Sequence, residues 1–347
     1  MGHKLVFRCD AGCAPEIGTG HIARSLTLAN ELINSKILGL HDIIFYTRND
    51  TNFDLGDSYF KKSKFKYKAF SNNELSANSN SEIQILSNLD TKIIILDRLE
   101  TSKELIQKIK NKNIKVITFD DYGDGREIAD LSISSIFDDV PKHQNLITGY
   151  EYLILSKGSY KALSYKKNIA NIVATFGGND ARNLCSHFLD LVDQIPKNIK
   201  VDIILGKVDL EDIKKYDLIK ESKINSESIK VHIYPENYHQ IICNADIAIS
   251  SGGLSIFEFS AYGVPTVGIP QYPHQLRTIK NLESAGISLL GSDEMNLSSQ
   301  KLLNSIKTLI KNNELREEMS RNARKNIDGN GANRIATIIK KNFKDIF

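Results

Sequence analysis

Short apolar runs rich in Ile, Val and Phe alternate along the chain with longer stretches in which apolar residues recur at helical spacing. Residues 4–8 (KLVFR), 43–47 (IIFYT), 92–97 (KIIILD) and 116–120 (VITFD) have the form of buried strands. Residues 22–33 and 105–112 between them have the form of helices, the second opened by a Thr101-x-x-Glu104 capping box. The pattern restarts with strands predicted at 169–176, 200–205, 230–234, 247–250 and 266–269. Helices are predicted near 180–194, 209–222, 254–262, 274–285, 298–311 and 314–326, and a last one over 332–343. Strand and helix alternating in this way predict α/β architecture with parallel sheets. Two doubly wound, Rossmann-like domains result, with the carboxyl ends of both sheets expected to face a common cleft.

The boundaries read as an N-terminal domain over 1–150, a linker over 151–168, a C-terminal domain over 169–330 and a terminal helix over 331–347. The linker holds a short apolar run (YLIL), read as a strand, and then a lysine-rich stretch. Residues 48–90 are rich in Asn, Ser and Lys and show only one weak strand (KFKYKAF) and a loop near 72–80.

Composition narrows the function classes. A length of 347 residues fits two domains at roughly 100–200 residues each. With 45 Lys plus Arg against 42 Asp plus Glu, the net charge of +3 argues against a nucleic-acid partner. No run is long and apolar enough for a membrane span, and the first residues read as a strand rather than a signal peptide. Cys9, Cys13, Cys185 and Cys243 are scattered, as expected of thiols in a reducing cytoplasm. His3, His41, His143, His187, His232 and His239 form no metal-ligand spacing, so neither a metal nor a cofactor is expected.

The chemistry-bearing segments follow predicted strands. Ile17-Gly18-Thr19-Gly20-His21 places glycines and a histidine at a helix N-terminus, where unpaired amides and the positive dipole end favour an anionic oxygen. His21 there could accept a proton, or the segment could be a plain turn with a polar cap. Arg24, one turn later, could contact phosphate or cover the helix surface. Phe176-Gly177-Gly178-Asn179-Asp180 reads as a phosphate-approach loop or as a turn with an Asn or Asp cap. Ser250-Ser251-Gly252-Gly253-Leu254-Ser255-x-x-Glu258 could cradle a diphosphate on backbone amides, with Glu258 accepting from ribose hydroxyls; Ser255-x-x-Glu258 also satisfies a capping box. His274 and Gln275 follow another strand end, His274 alternatively as a helix cap. Asp97-Arg98 and Asp120-Asp121 end two further strands, the second pair suiting either a metal or turn chemistry.

Together, RCDAGCAPEIGTGHIARSLTLA, FGGND, SSGGLSIFE, YGVPTVGIP with its following HQ, and DGNGANRI resemble one family across roughly residues 3–335. This family is the UDP-2,4-diacetamido-2,4,6-trideoxy-β-L-altropyranose hydrolases of pseudaminic acid biosynthesis, related in fold to GT-B glycosyltransferases of the MurG type. The resemblance implies a cytoplasmic, metal-independent enzyme of surface-polysaccharide synthesis. Its small-molecule partner would be a UDP-sugar, from which water displaces UDP with inversion. It makes His21 the base and Gly18, Gly20 and Arg24 part of the substrate site. It also implies that Gly177, Gly178, Asp180, Ser251, Gly252, Gly253, Glu258, His274 and Gln275 bind substrate. The chain departs from the family pattern at Asp97-Arg98-Leu99, where Asp-His-Tyr is expected, and at His274, where Asn is expected.

Overall fold

A computed structural model describes residues 3–12, 18–50, 53, 55–136, 141–156, 160, 167–178, 180–206 and 228–347. The chain divides into two units, one formed by 1–157 with 329–347 and the other by 158–328.

In the first unit the elements run β1 (Leu5–Cys9), α1 (Gly20–Asn34), β2 (Ile43–Arg48), α2 (Leu55–Lys62), β3 (Lys66–Phe70), α3 (Asn72–Leu75) and α4 (Asn80–Ser87). They continue as β4 (Ile93–Asp97), α5 (Lys103–Lys110), β5 (Lys115–Phe119), β6 (Leu131–Ser134) and β7 (Leu146–Thr148). The seven strands pair in parallel in the order β3-β2-β1-β4-β5-β6-β7. Side chains alternate across the sheet with the period of two that strand geometry imposes. Leu5 and Phe7 of β1 pack with Ile22, Leu28 and Leu32 of α1 on one face. Val6, Ile94 and Leu96 pack with Leu86 of α4 and Leu105, Ile106 and Ile109 of α5 on the other.

The second unit runs β8 (Asn171–Thr175), α6 (Leu184–Leu189), β9 (Lys200–Leu205), β10 (Ile229–Ile233), α7 (Tyr238–Ile242), β11 (Ile247–Ser251) and α8 (Leu254–Tyr262). It continues with β12 (Thr266–Ile269), α9 (Pro273–Ser284), β13 (Ser288–Leu290), α10 (Ser299–Lys311) and α11 (Asn313–Asn326). Its six strands are also parallel, in the order β10-β9-β8-β11-β12-β13. A final helix, α12 (Gly331–Asn342), belongs to the first unit and buries Ile335, Ala336 and Ile339 in the core that contains α1.

Several expectations are corrected. The YLIL run forms no strand: a short 3-10 turn at Tyr150–Tyr152 leads into buried Leu153, Ile154 and Leu155. Its apolarity reflects burial without sheet pairing. Residues 48–90 hold α2, β3, α3 and α4; β3 is an edge strand with Lys66 and Lys68 on it, which masks its apolar signal and blunts the open edge. The cap of α5 is Ser102, whose Oγ accepts from the Leu105 amide, not Thr101. The expected helix near 209–222, Cys13, Asn179 and most of the lysine-rich linker lie outside the described residues. Among the described residues no helix is long and apolar enough to cross a membrane.

Candidate functional site

Both sheets reverse their winding direction at one place: between β1 and β4 in the first unit, and between β8 and β11 in the second. In doubly wound sheets, ligands bind outside the carboxyl ends of the strands at this switch point. The motif residues of each unit gather there.

Asp97 ends β4, and its carboxylate organises the α1 side of the first sheet. His21 Nδ1 lies 2.7 Å from Asp97 Oδ1, Arg24 Nε donates to Oδ2 at 2.9 Å, and Ser25 Oγ donates to Oδ2 at 2.8 Å. Spacings of three and four residues place Arg24 and Ser25 on the same face of α1 as His21. Arg24 Nη1 also pairs with Asp120, whose Oδ1 accepts from the amides of Ser135 at 2.7 Å and Ile136 at 3.0 Å. Burial alone would raise the Asp97 carboxyl, but the charge of Arg24 and the His21 contact hold it well below the usual carboxylate range. An ionised carboxylate only accepts, so His21 donates from Nδ1, which in the neutral tautomer places the lone pair on Nε2. The His21 side chain is 15% exposed while Asp97 beneath it is 1% exposed. A partly exposed imidazole therefore rests on a buried anion.

The opposite face of the same sheet end carries a second polar network. Arg8 pairs with Asp10 at 2.6 Å and with Glu82 at 2.8 Å, Arg48 closes on Asp10, and Arg98 Nη1 reaches Glu82 Oε2 at 2.8 Å. Arg8-x-Asp10 thus ties strand ends together. Arg98, at the position where the resembled family has histidine, joins this structural network, with Nε and Nη2 buried and without a protein partner.

Asp121 behaves differently from Asp120. Its Oδ1 accepts from the amides of Thr101 at 2.9 Å and Gly123 at 2.7 Å, which is turn chemistry, and its Oδ2 is buried without a protein partner. Burial pushes its carboxyl up from 3.8 to about 6. Between about pH 4 and 6 the folded chain keeps a proton that the unfolded chain releases, so this group's contribution to stability falls as pH rises through that window. Asp121→Asn keeps the accepting oxygen and removes the charge. The variant is expected to melt above wild type at pH 8, by no more than about 3 kcal/mol in stability, with the gap closing toward pH 4; melting scans across pH test it.

In the second unit β8 and β11 deliver the two glycine loops. Gly177 takes a positive φ of 84°, and the position a Cβ would occupy lies 3.8 Å from Ser251 Oγ. Gly178 packs backbone to backbone against Gly206. Gly252 lies so close to α9 that a Cβ there would stand 2.7 Å from the Gln275 carbonyl oxygen, while the same point on Gly253 is 3.7 Å from Gln275 Nε2. Gly177, Ser251, Gly252, Gly253 and Gln275 therefore converge. Gly253 also caps α8 without a side-chain bond, leaving the first amides of an apolar helix directed at this place. Gly252→Ala is expected to push the start of α9 outward, with about 1–3 kcal/mol lost to overpacking, read by melting temperature.

Glu258 lies one turn into α8 and is buried, with Tyr238 Oη donating to its Oε2 at 2.7 Å. The capping-box alternative fails, since the cap is Gly253 and Ser255 lies inside the helix. The turn-and-cap alternative fits Asp180, and two other expectations change. Asp180 accepts from the amides of Leu184 and Cys185 at 2.8 Å each, so its carboxylate fastens the start of α6. Arg24 is neither a surface residue nor a phosphate arm: it is 5% exposed and committed to Asp97 and Asp120. His274 is the second residue of α9 behind the cap Tyr272, on whose ring it stacks at 5.7 Å. Gly18 precedes α1, with nothing within 4 Å of where its Cβ would stand, and Gly20 opens that helix.

Residues 171–336 match the family described as the glycosyltransferase family 28 C-terminal domain. MurG of Acinetobacter baumannii superposes with a TM-score of 0.69 at 16% identity, covering 97% of this chain and 99% of that one. The fold is GT-B. The spore coat polysaccharide biosynthesis protein SpsG of Bacillus subtilis is 25% identical over 350 residues, 94% of this chain and 95% of SpsG. The uncharacterized protein MJ1062 of Methanocaldococcus jannaschii is 28% identical over 274 residues, 74% of this chain, which spans 54% of that protein's length.

Within this GT-B frame, sequence reasoning missed the roles of Asp97, Asp120, Tyr238 and Gln271. Gln271 Nε2 donates to the Phe176 carbonyl at 2.6 Å and its Oε1 accepts from the Ala181 amide at 2.9 Å. It latches the Gly177-Gly178 loop to the loop preceding α9. Its place just after a strand end was the available signal. Among the described residues no group of three His, Cys, Asp or Glu side chains could hold a metal ion.

Proposed function

We propose that this protein is a cytoplasmic UDP-sugar hydrolase that releases UDP, with inversion, from a diacetamido-trideoxy hexose used in pseudaminic or related nonulosonic acid synthesis. The observation that carries the reading is the His21–Asp97 pair, a general base oriented by a buried carboxylate at a switch point. The residues of the second unit supply the nucleotide end. Ser251, Gly252 and Gly253, with the amides opening α8, take the diphosphate, and Glu258 takes the ribose. His21 Nε2 removes a proton from water as the water oxygen bonds to the anomeric carbon. The bond from that carbon to the β-phosphate oxygen breaks, and its electron pair leaves on UDP. Amides aimed at the departing diphosphate stabilise its growing charge. The name of SpsG places that relative in polysaccharide biosynthesis, which suits an enzyme preparing a surface sugar.

The match to a glycosyltransferase family supports a second reading, transfer of the sugar to an acceptor hydroxyl from the same nucleotide site. Incubation with UDP-, GDP- and CMP-sugars, following free nucleotide and the first anomer formed, separates the two. Hydrolysis predicts acceptor-free release of UDP with inverted sugar. Robust transfer to an acceptor with no acceptor-free turnover refutes it.

A further inference from the structure

We infer that Tyr238 is a positioning residue for nucleotide recognition: its hydroxyl holds the Glu258 carboxylate in the orientation that grips the ribose, so that ribonucleotide is preferred to deoxyribonucleotide. The inference rests on the reading of Glu258 as the ribose acceptor.

Glu258 sits on α8 at the end of a flexible side chain, and a carboxylate that must receive two neighbouring hydroxyls needs a fixed plane. Tyr238 supplies a rigid handle. It is the first residue of α7, whose Ile241 and Ile242 are anchored in the core. Its ring meets His239 edge-on at 5.4 Å, and Tyr160 and Tyr262 pack at 4.9 Å in the same aromatic group. The hydroxyl lies 2.7 Å from Glu258 Oε2 and 3.3 Å from Ser255 Oγ. Burial and the adjacent Glu258 charge raise the phenol well above its ordinary range, so it stays protonated and donates. A carboxylate accepts about four hydrogen bonds, so the bond from Tyr238 orients Glu258 without exhausting it. A 2′-deoxyribose brings one hydroxyl fewer to that carboxylate, and a site built around a charged acceptor discriminates against the loss by about 10- to 100-fold.

The test is calorimetric binding of UDP and 2′-deoxy-UDP to wild type, Glu258→Leu, Tyr238→Phe and Tyr238→His, with melting temperatures as the check on folding. Wild type should prefer UDP, and Glu258→Leu, which has no accepting oxygen, should lose the preference. If wild type shows none, or a folded Glu258→Leu retains it, the ribose reading itself fails. With that reading intact, Tyr238→Phe should weaken UDP by about tenfold while leaving 2′-deoxy-UDP within about twofold. Retention of the full preference, or equal weakening of both nucleotides, overturns the role of Tyr238. Tyr238→His retains an N–H donor and should keep more of the preference than Tyr238→Phe. Equal loss in both folded variants, or no preference lost in a folded Tyr238→His when Tyr238→Phe does not fold and a donor-free Tyr238→Leu keeps it too, marks packing alone and overturns the proposal.

Discussion

His21→Ala should lose turnover by about 100-fold or more, the scale of a missing general base, while binding UDP as wild type does. The reasoning follows from where the residue stands. His21 belongs to the first unit, whereas Ser251, Gly252, Gly253 and Glu258 belong to the second, so the substitution touches the proposed acceptor of the water proton and leaves the proposed nucleotide residues alone. Added imidazole should restore part of the rate in His21→Ala by filling the missing base. Asp97→Asn should also be slow, because an amide presented to Nδ1 no longer requires a proton there and the basic lone pair can leave Nε2. Steady-state rates with and without imidazole, alongside UDP calorimetry, decide the matter. An unchanged rate in His21→Ala would remove the residue from the mechanism.

The second large effect concerns stability. Arg24→Met should destabilise the protein by about 3–5 kcal/mol at pH 7, because it leaves Asp97 and Asp120 buried without their cation. Asp97 is 1% exposed and Asp120 2% exposed, so water cannot replace the guanidinium. A loss of that size corresponds to a fall on the order of 10 °C in Tm. The pH dependence has a definite sign. The folded carboxyl of Asp97 is depressed, so the stability it contributes is present above the unfolded value near 4 and is lost as pH falls below it. The difference between wild type and Arg24→Met should therefore be widest at neutral pH and narrow below about pH 4. Arg24→Lys should recover little, since one ammonium cannot reproduce a fork that reaches Asp97 and Asp120 together. Urea titrations at pH 7 and pH 4 measure this, and a variant as stable as wild type at pH 7 would show that the network does not hold the sheet end.

The fold was legible wherever periodicity was undisturbed. The helix predicted over 254–262 and the strands predicted over 200–205 and 266–269 coincide with the structure, because each is mostly buried. Residues 48–90 were opaque because α2 and β3 are short, lysine-bearing and near an open sheet edge. β6, β7 and β13 have only three or four residues each, too few to show a period. The candidate site was legible as loops, glycine-bearing turns that stand directly after strands. Its partners were not. Asp97 lies 76 residues from His21 and 73 from Arg24, and only the pairing of β1 with β4 brings that strand end beside α1. Spacing put Arg24 on the face of His21, yet spacing alone does not say whether that face is covered. Ser255-x-x-Glu258 misled for a related reason: the pattern suits a cap, but α8 begins one residue before Ser255.

The return of α12 to the first unit orders events during synthesis. Ile335, Ala336 and Ile339 complete the core around α1, and Asn333 donates to Glu31 at 3.0 Å, so this unit lacks one wall until the codons for residues 331–342 are read. Residues 158–328, by contrast, are contiguous and can condense as soon as they leave the ribosome. A growing chain thus holds the strands before residue 158 with an exposed apolar face while a later-made unit matures first. A stop codon just before Gly331 would leave the second unit whole and the first open to chaperones and proteases.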